Sequence, residues 1–184
     1  MTLPETATVQ PPEFRFGTKA QTLDRLRGKL KTPSLCEQHV LTTTDWARDR
    51  ATSLKPVLSK FAGKLLVVRS SADSEDLVED SNAGAFERVT GARCEPEEIA
   101  RAVDAVIDSY GADAGRQEVL VQEMVLDVAL SGVVLTRDLD TGGPYYAINY
   151  DDISGRTDTV TGGAESKTVL VRRSNPGALH SVRM

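Results

Sequence analysis

Leucines spaced three and four residues apart mark the first predicted helix. Leu23, Leu26 and Leu30 would lie on one face of a helix that begins after Thr18. Thr18 and Gln21 have the spacing of a capping box, in which side chains satisfy backbone groups at the helix start. The pattern therefore predicts an amphipathic helix that packs on a core through its leucines.

Two further helices are predicted downstream. One spans 45–61 and bends near Pro56, because proline removes a backbone donor from the helix. The other begins at Pro96 and ends at Gly111. Its apolar stripe has helical spacing and consists of Ile99, Val103, Val106, Ile107 and Tyr110.

Strands are predicted where apolar residues lack helical spacing. Residues 39–41 form a short extended segment, and Leu65–Val68 is a continuous apolar run typical of a strand buried on both faces. Four more strands are predicted at 118–124, 132–136, 145–150 and 168–172. Helices thus dominate the N-terminal part and antiparallel-looking strands the rest, which predicts an α+β chain of two lobes.

The same patterns divide the chain into four segments. Residues 1–13 are polar and proline-rich, and we expect a disordered leader there. Residues 14–117 form the predicted N-terminal lobe and 118–173 the strand-rich part of a second lobe. Residues 174–184 show no convincing element and are predicted to be a tail.

Composition narrows the class of protein. The chain has 184 residues, with 22 basic and 27 acidic side chains and a formal net charge of −5, which disfavours nucleic acid as a partner. No apolar run approaches the roughly 18 residues of a membrane span. Cys36 and Cys94 have neither zinc nor disulfide-framework spacing, and the N-terminus does not resemble a signal peptide. We therefore expect a reduced, cytoplasmic protein.

Three features suit the binding of an anion such as a phosphate. Lys19 lies in the first turn of a predicted helix, where backbone N–H groups also favour anions. Arg69 ends an apolar strand, and its guanidinium can hold phosphate oxygens bidentately. The loop 81–85 consists of small residues that allow backbone N–H groups to approach a phosphate. Taken singly, these are ordinary surface features, and His39 and His180 are expected to be structural or surface residues.

Four segments, taken in order, carry a family resemblance. They read G-T-K-A-x-x-L from Gly17, V-V-R-S-S-A-x-x-E-D from Val67, S-x-A-G from Ser81, and V-x-V-Q-E-M-V from Val119 followed by S-G-V-V-L-T-R. They resemble the G-G-K-G/A-x-x-L, V-R-S-S-A-x-x-E-D, S-x-A-G and V-x-V-Q-x-M-V…S-G-V-x-F-T motifs of the pyruvate phosphate dikinase and phosphoenolpyruvate synthase family. This resemblance implies an ATP-grasp fold, which holds ATP between two lobes.

The resemblance also implies roles for particular residues. Lys19 and Arg69 would bind the ATP phosphates and serve as the catalytic cations, with Ser70 beside them. The loop containing Ser81, Ala83 and Gly84 would fold over the phosphates. The remaining implied nucleotide contacts are Gln122, Glu123, Met124 and Val125, which would meet adenine and ribose, and Thr136 and Arg137 on the second-lobe sheet.

Magnesium is the implied partner ion of ATP, and two acidic residues are candidates to hold it. Asp151 and Asp152 follow a predicted strand, and carboxylate oxygens are suitable magnesium ligands. The alternative is a solvated turn at the end of that strand. The late acidic D-x-E strand and the Q-x-R segment, which complete the magnesium site in the family, have no match before Met184.

Departures from the family motifs narrow the activity that the resemblance implies. Thr18 replaces the usual second glycine. The F-x-T-K-A-x-T-L opening and the P-Y-Y-x-I-N-Y-D-D stretch look closer to the L-glutamine kinases, which phosphorylate the side-chain amide. The chain also lacks the family's phosphorylatable histidine domain, so we expect a nucleotide-binding portion that works with a downstream catalytic domain or subunit. A phosphoenolpyruvate synthase, a rifampin-type phosphotransferase, a non-catalytic regulatory module and a purely structural domain are the alternatives.

Overall fold

The computed structural model describes residues 14–72, 86–156, 159–160, 167–174 and 179–183. The predicted leader and the loop 81–85 therefore lie outside the described residues. The chain divides into two units, Met1–Met124 and Val125–Met184. In the described residues both units contain an antiparallel sheet, and the helices belong to the first, so the α+β class is confirmed.

The first unit is a four-stranded antiparallel sheet with helices. Its strands are β1 (Gln38–Thr42), β2 (Leu65–Ser71), β3 (Arg88–Arg93) and β4 (Glu118–Glu123), in the spatial order β1-β4-β2-β3. Its helices are α1 (Lys19–Leu26), α2 (Thr43–Arg48), α3 (Arg50–Lys60) and α4 (Pro96–Ser109), and a 3₁₀ helix spans Gly111–Arg116.

The core of the first unit lies between one face of this sheet and helices α3 and α4. Ile99, Val103 and Val106 of α4 are fully buried and belong to the same apolar cluster as Leu66 and Val68 of β2. The predicted stripe of the third helix is therefore its packing face. Burial of such aliphatic side chains contributes about 1.5–3 kcal/mol each.

Strands β4 and β2 are the two interior strands of the first sheet, and β4 is the one buried on both faces, which corrects two predictions. Val119, Leu120 and Val121 are all fully buried, so β4 is buried on both faces, whereas Leu65 of β2 is 36% exposed. The sequence pattern places this strand in the second lobe, but in the structure it pairs with β1 and β2. The unit boundary therefore falls after Met124 rather than after residue 117, because pairing partners decide where a strand belongs.

The second predicted helix is in fact two helices, and the break is at Asp49 rather than at Pro56. Asp49 is extended, and its carboxylate accepts a hydrogen bond from the backbone N–H of Thr52 at 3.0 Å, which caps α3. Pro56 lies inside α3. The first helix is also shorter than predicted: α1 ends at Leu26, and Leu30 lies beyond it, 36% exposed.

Strand β3 was not predicted. Its sequence, R-V-T-G-A-R, is mostly polar, and the register shifts opposite Leu66 and Val67 of β2. Gly91 lies at this irregularity with φ +76°, a conformation that favours glycine. The shift breaks the period-two pattern by which a strand is recognised in a sequence.

The second unit is an antiparallel meander of four strands. They are β5 (Ser131–Leu135), β6 (Tyr145–Asp151), β7 (Lys167–Arg172) and β8 (Leu179–Arg183), in sequential order in the sheet. The first three match the predicted strands to within one residue at each end. Strand β8 corrects the predicted tail: its apolar residues, Leu179 and Val182, are three positions apart, so the segment shows no alternation. None of the helices in the described ranges is long and apolar enough to cross a membrane.

Candidate functional site

One face of the first sheet carries Arg69 and binds the first turn of helix α1, and we call it the α1 face. Side chains alternate along a strand, so Arg69 and Ser71 lie on the face opposite Leu66 and Val68, which enter the helix-covered core. In register with them, the α1 face also carries Glu118, which lies opposite Ser71. Helix α1 docks on this face by hydrogen bonds to these side chains.

Glu118 holds the start of α1. Its carboxylate accepts hydrogen bonds from Thr18 Oγ1 at 2.7 Å and from Gln21 Nε2 at 3.3 Å. Thr18 is only 4% exposed, so its bond to the carboxylate lies largely out of solvent. Because charge-assisted hydrogen bonds are the stronger ones, Glu118 fixes the first turn of α1 on β4.

Ser71 makes the second link between α1 and the sheet. The buried Ser71 Oγ accepts a hydrogen bond from the backbone N–H of Ala20 at 2.9 Å. The Ala20 carbonyl in turn accepts one from Gln38 Nε2 of β1 at 3.1 Å. Ala20 itself is 1% exposed. The first turn of α1 is therefore held to β1, β2 and β4 together.

These contacts bring two of the four sequence motifs together. Lys19 is the residue before Ala20, and Arg69 lies two residues before Ser71 on the same face of β2. Both cationic side chains are half-buried. The structure thus places Lys19 and Arg69 on one side of one sheet, although they are 50 residues apart in the sequence.

The start of α1 itself is not an open anion site, which corrects one part of the sequence argument. The N–H of Ala20 donates to Ser71, and the N–H of Gln21 donates to Thr18 Oγ1 at 3.2 Å. Side-chain oxygens of the protein therefore occupy two donors that the helix would otherwise offer. An anion on the α1 face would be held by the side chains of Lys19 and Arg69 instead.

Ser70 does not share this face. It follows Arg69 on β2, so its side chain lies on the side of the sheet that α4 covers, and it is 4% exposed. A ligand on the α1 face would not reach its hydroxyl group. The predicted loop residues Ser81, Ala83 and Gly84 lie outside the described residues.

The predicted adenine-binding segment alternates between the two faces. Gln122 is on the α1 face, in register with Gln38 and Val67. Glu123 is on the other face and pairs with Lys64 Nζ at 2.6 Å. The Met124 N–H donates to the Leu65 carbonyl at 2.8 Å, and Val125 is 53% exposed. Within strand β4, Gln122 is the residue of this segment whose side chain shares a face with Arg69.

The predicted site residues of the second unit are either exposed or bonded to protein groups. Thr136 and Arg137 are exposed and follow the end of β5. Asp152 pairs with Lys167 Nζ at 2.7 Å. Asp151 accepts hydrogen bonds from the backbone N–H groups of Ile153 and Ser154, at 2.8 and 3.0 Å, and from the hydroxyls of Ser154 and Thr159.

These bonds account for the properties of Asp151. The hydroxyl and backbone donors hold the pKa of its carboxyl well below the ordinary value, and the residue is 8% exposed. Its carboxylate organises the turn after β6. This arrangement agrees with the second of the two sequence interpretations, a turn at the end of the strand rather than a magnesium site. Within the part of the chain that the structure describes, no three His, Cys, Asp or Glu residues cluster as a metal would require.

His39 lies away from the α1 face, at a cavity that the sequence did not predict. The cavity measures about 340 Å³ and is lined by His39 of β1 and by residues of α2 and α3, including Asp45 and Ser53. Burial and the charge of Lys60 lower the pKa of His39. The charged form of the imidazole is therefore disfavoured.

Sequence reasoning missed the residues that assemble the α1 face. Ser71, Glu118 and Gln38 each bond to the first turn of α1. Ser71 lies within a quoted motif, but no local pattern connects it with Ala20, 51 residues away. Comparison with known proteins adds no assignment: no protein-family model matches the chain, and no curated protein matches it significantly.

Proposed function

We propose that this chain is the ATP-binding portion of an ATP-dependent phosphotransferase of the phosphoenolpyruvate synthase and pyruvate phosphate dikinase type, with an ATP-grasp fold. The observation that carries the proposal is the docking of α1, through Ala20 and Ser71, on the sheet face of Arg69. Two motifs that the resemblance links to ATP phosphates are thereby brought to the same place. Coincidental sequence matches would have no reason to meet in space.

The chemistry of the α1 face suits triphosphate binding. Phosphoryl transfer requires mainly positioning and charge neutralisation rather than a covalent protein group. Lys19 supplies a compact point charge, and Arg69 supplies a planar guanidinium that holds two oxygens at once. Glu118 is engaged with Thr18 and Gln21, so it fixes the helix start that carries Lys19. Gln122 adds an amide on the same face.

Magnesium would neutralise phosphate charge when bound, but the described residues do not provide its site. Asp151 is engaged by four donors, and Asp152 is paired with Lys167. Neither carboxylate has oxygens set aside for a metal. No step of the proposed function therefore passes through magnesium held by the described residues.

L-glutamine is the acceptor that the resemblance favours, through phosphorylation of its side-chain amide. Phosphoenolpyruvate synthase and rifampin-type chemistry are the alternatives within the family. A non-catalytic nucleotide-binding module is favoured by a separate observation: protein groups bond to two of the backbone donors at the start of α1 and to both candidate metal carboxylates. Such a module would bind ATP but would transfer no phosphate, even when the histidine domain is supplied.

Calorimetric titration of the chain with MgATP tests the nucleotide site. Lys19→Ala and Arg69→Ala should each weaken ATP binding by about tenfold or more, because a hydrogen bond to a charged group contributes about 1.5–3 kcal/mol. Lys55→Ala and Arg101→Ala are matched controls, since both side chains are exposed on helices that cover the opposite face. Wild-type affinity in the Arg69→Ala variant, or no binding at millimolar ATP, would overturn the proposal.

A further inference from the structure

Strand β5 is an open edge of the second sheet. It pairs with β6 along one side, and within the described ranges no strand pairs with its other side. The loop after β6 bonds to it through a side chain, Ser131 Oγ to the Arg156 carbonyl at 2.6 Å. An open edge presents backbone N–H and C=O groups that accept another strand.

This edge lacks the usual protection against strand pairing. Proteins ordinarily place charged residues or proline on edge strands to prevent it. Residues 128–136 contain neither a charged residue nor a proline. Leu130 and Val134 are 61% and 60% exposed, so large apolar groups flank the open edge.

The sequence around β5 is complementary to itself when read antiparallel. In a pairing centred on Gly132, Leu130 of one copy lies opposite Val134 of the other, and Ser131 lies opposite Val133. The first charged residues on either side of β5 are Asp127 and Arg137, so each end of the paired strands carries the Asp127 of one copy and the Arg137 of the other. Twofold symmetry forms this ion pair and the apolar pair twice.

Both charged residues are available for such a pairing. Asp127 and Arg137 are exposed, and neither has an ion-pair partner among the residues that the structure describes. Asp127 has φ +52°, so the chain turns there and the regular pairing is confined to β5.

We infer that β5 is a pairing edge for a second copy of this chain, which joins the two meanders into one antiparallel sheet. The charge complementarity of Asp127 and Arg137 selects this occupant over an unrelated strand. Five residues per strand bury little area, so the association is weak and concentration-dependent. For Arg137 this role is independent of the nucleotide contact implied by the family resemblance.

Sedimentation equilibrium over increasing concentrations of the full chain tests this inference. We expect the average mass to rise from 19.9 kDa towards twice that value. Asp127→Arg alone and Arg137→Asp alone should each weaken association by about tenfold or more, because each replaces two attractive pairs with two repulsive ones. The double charge exchange should restore association to near the wild-type level.

A second variant tests the edge without touching these charges. Val134→Lys places a charge beside the open edge and should abolish association, while circular dichroism shows an unchanged fold. A monomer at every concentration would overturn the inference, as would single charge reversals without effect or a double exchange that fails to restore pairing. Because Asp127 and Arg137 are exposed, the charge exchange decides the matter even if Val134→Lys does not fold.

Discussion

Replacing Ser71 with alanine removes the acceptor that holds α1 to β2. Ser71 Oγ is fully buried and receives the Ala20 N–H at 2.9 Å, so the Ser71→Ala variant leaves a buried donor without a partner. An unsatisfied buried donor costs about 1–3 kcal/mol. The longer bond from Ser71 to Glu118, at 3.5 Å, adds little, because Thr18 and Gln21 continue to bond that carboxylate.

We therefore expect Ser71→Ala to lower the free energy of unfolding by about 1–3 kcal/mol. For a chain of this length, each kcal/mol corresponds to a fall in melting temperature of about 2–4 °C. Urea denaturation measures the global loss. Hydrogen exchange at the Ala20 amide measures the local one, and it should accelerate most in the first turn of α1. ATP affinity should fall in the same variant, because this turn positions Lys19.

Ser59→Ala is the matched control, since Ser59 is exposed on α3. Alanine is the better helix former, so this change should leave stability equal or slightly higher. Surface substitutions usually change the free energy of unfolding by less than about 0.5 kcal/mol. If Ser71→Ala lowered it by no more than this and left hydrogen exchange at the Ala20 amide unchanged, the reasoning would be refuted. It would mean that the docking of α1 does not depend on this bond.

Two further predictions concern the second unit. Because the pKa of Asp151 is lowered in the fold, its stabilising effect is complete above the ordinary carboxyl pKa near 3.8 and is lost as pH falls below it. Asp151→Asn should therefore flatten the acid decline of the urea midpoint below about pH 4, and the exposed Asp24→Asn should not. In Gly132→Ala, the new Cβ would lie 2.4 Å from the Asn149 carbonyl oxygen, so thermal unfolding should show a loss of about 1–3 kcal/mol. Gly115→Ala has open space and should show no comparable loss; equal effects in the two variants would contradict the steric argument.

The periodic part of the fold could be predicted from the sequence. The stripe of α4 and the runs of aromatic, aliphatic and β-branched residues in β6 and β7 are local patterns, and these elements lie where the patterns place them. The start of α1 was also predicted, because Thr18 caps its own helix through the Gln21 N–H. Such features depend on residues within a few positions of one another, so no tertiary contact is needed to recognise them.

Tertiary structure decided the remainder. Strand β4 belongs to the first sheet because β1 and β2 pair with it, and the bulge of β3 follows from its register against β2. Asp151 and Asp152 have the composition of a metal site, but Ser154, Thr159 and Lys167 occupy their oxygens. The α1 face likewise depends on Ser71 meeting Ala20 across 51 positions. A single sequence shows residue types and local spacing, whereas partners distant along the chain are chosen by packing and by the need to satisfy buried polar groups.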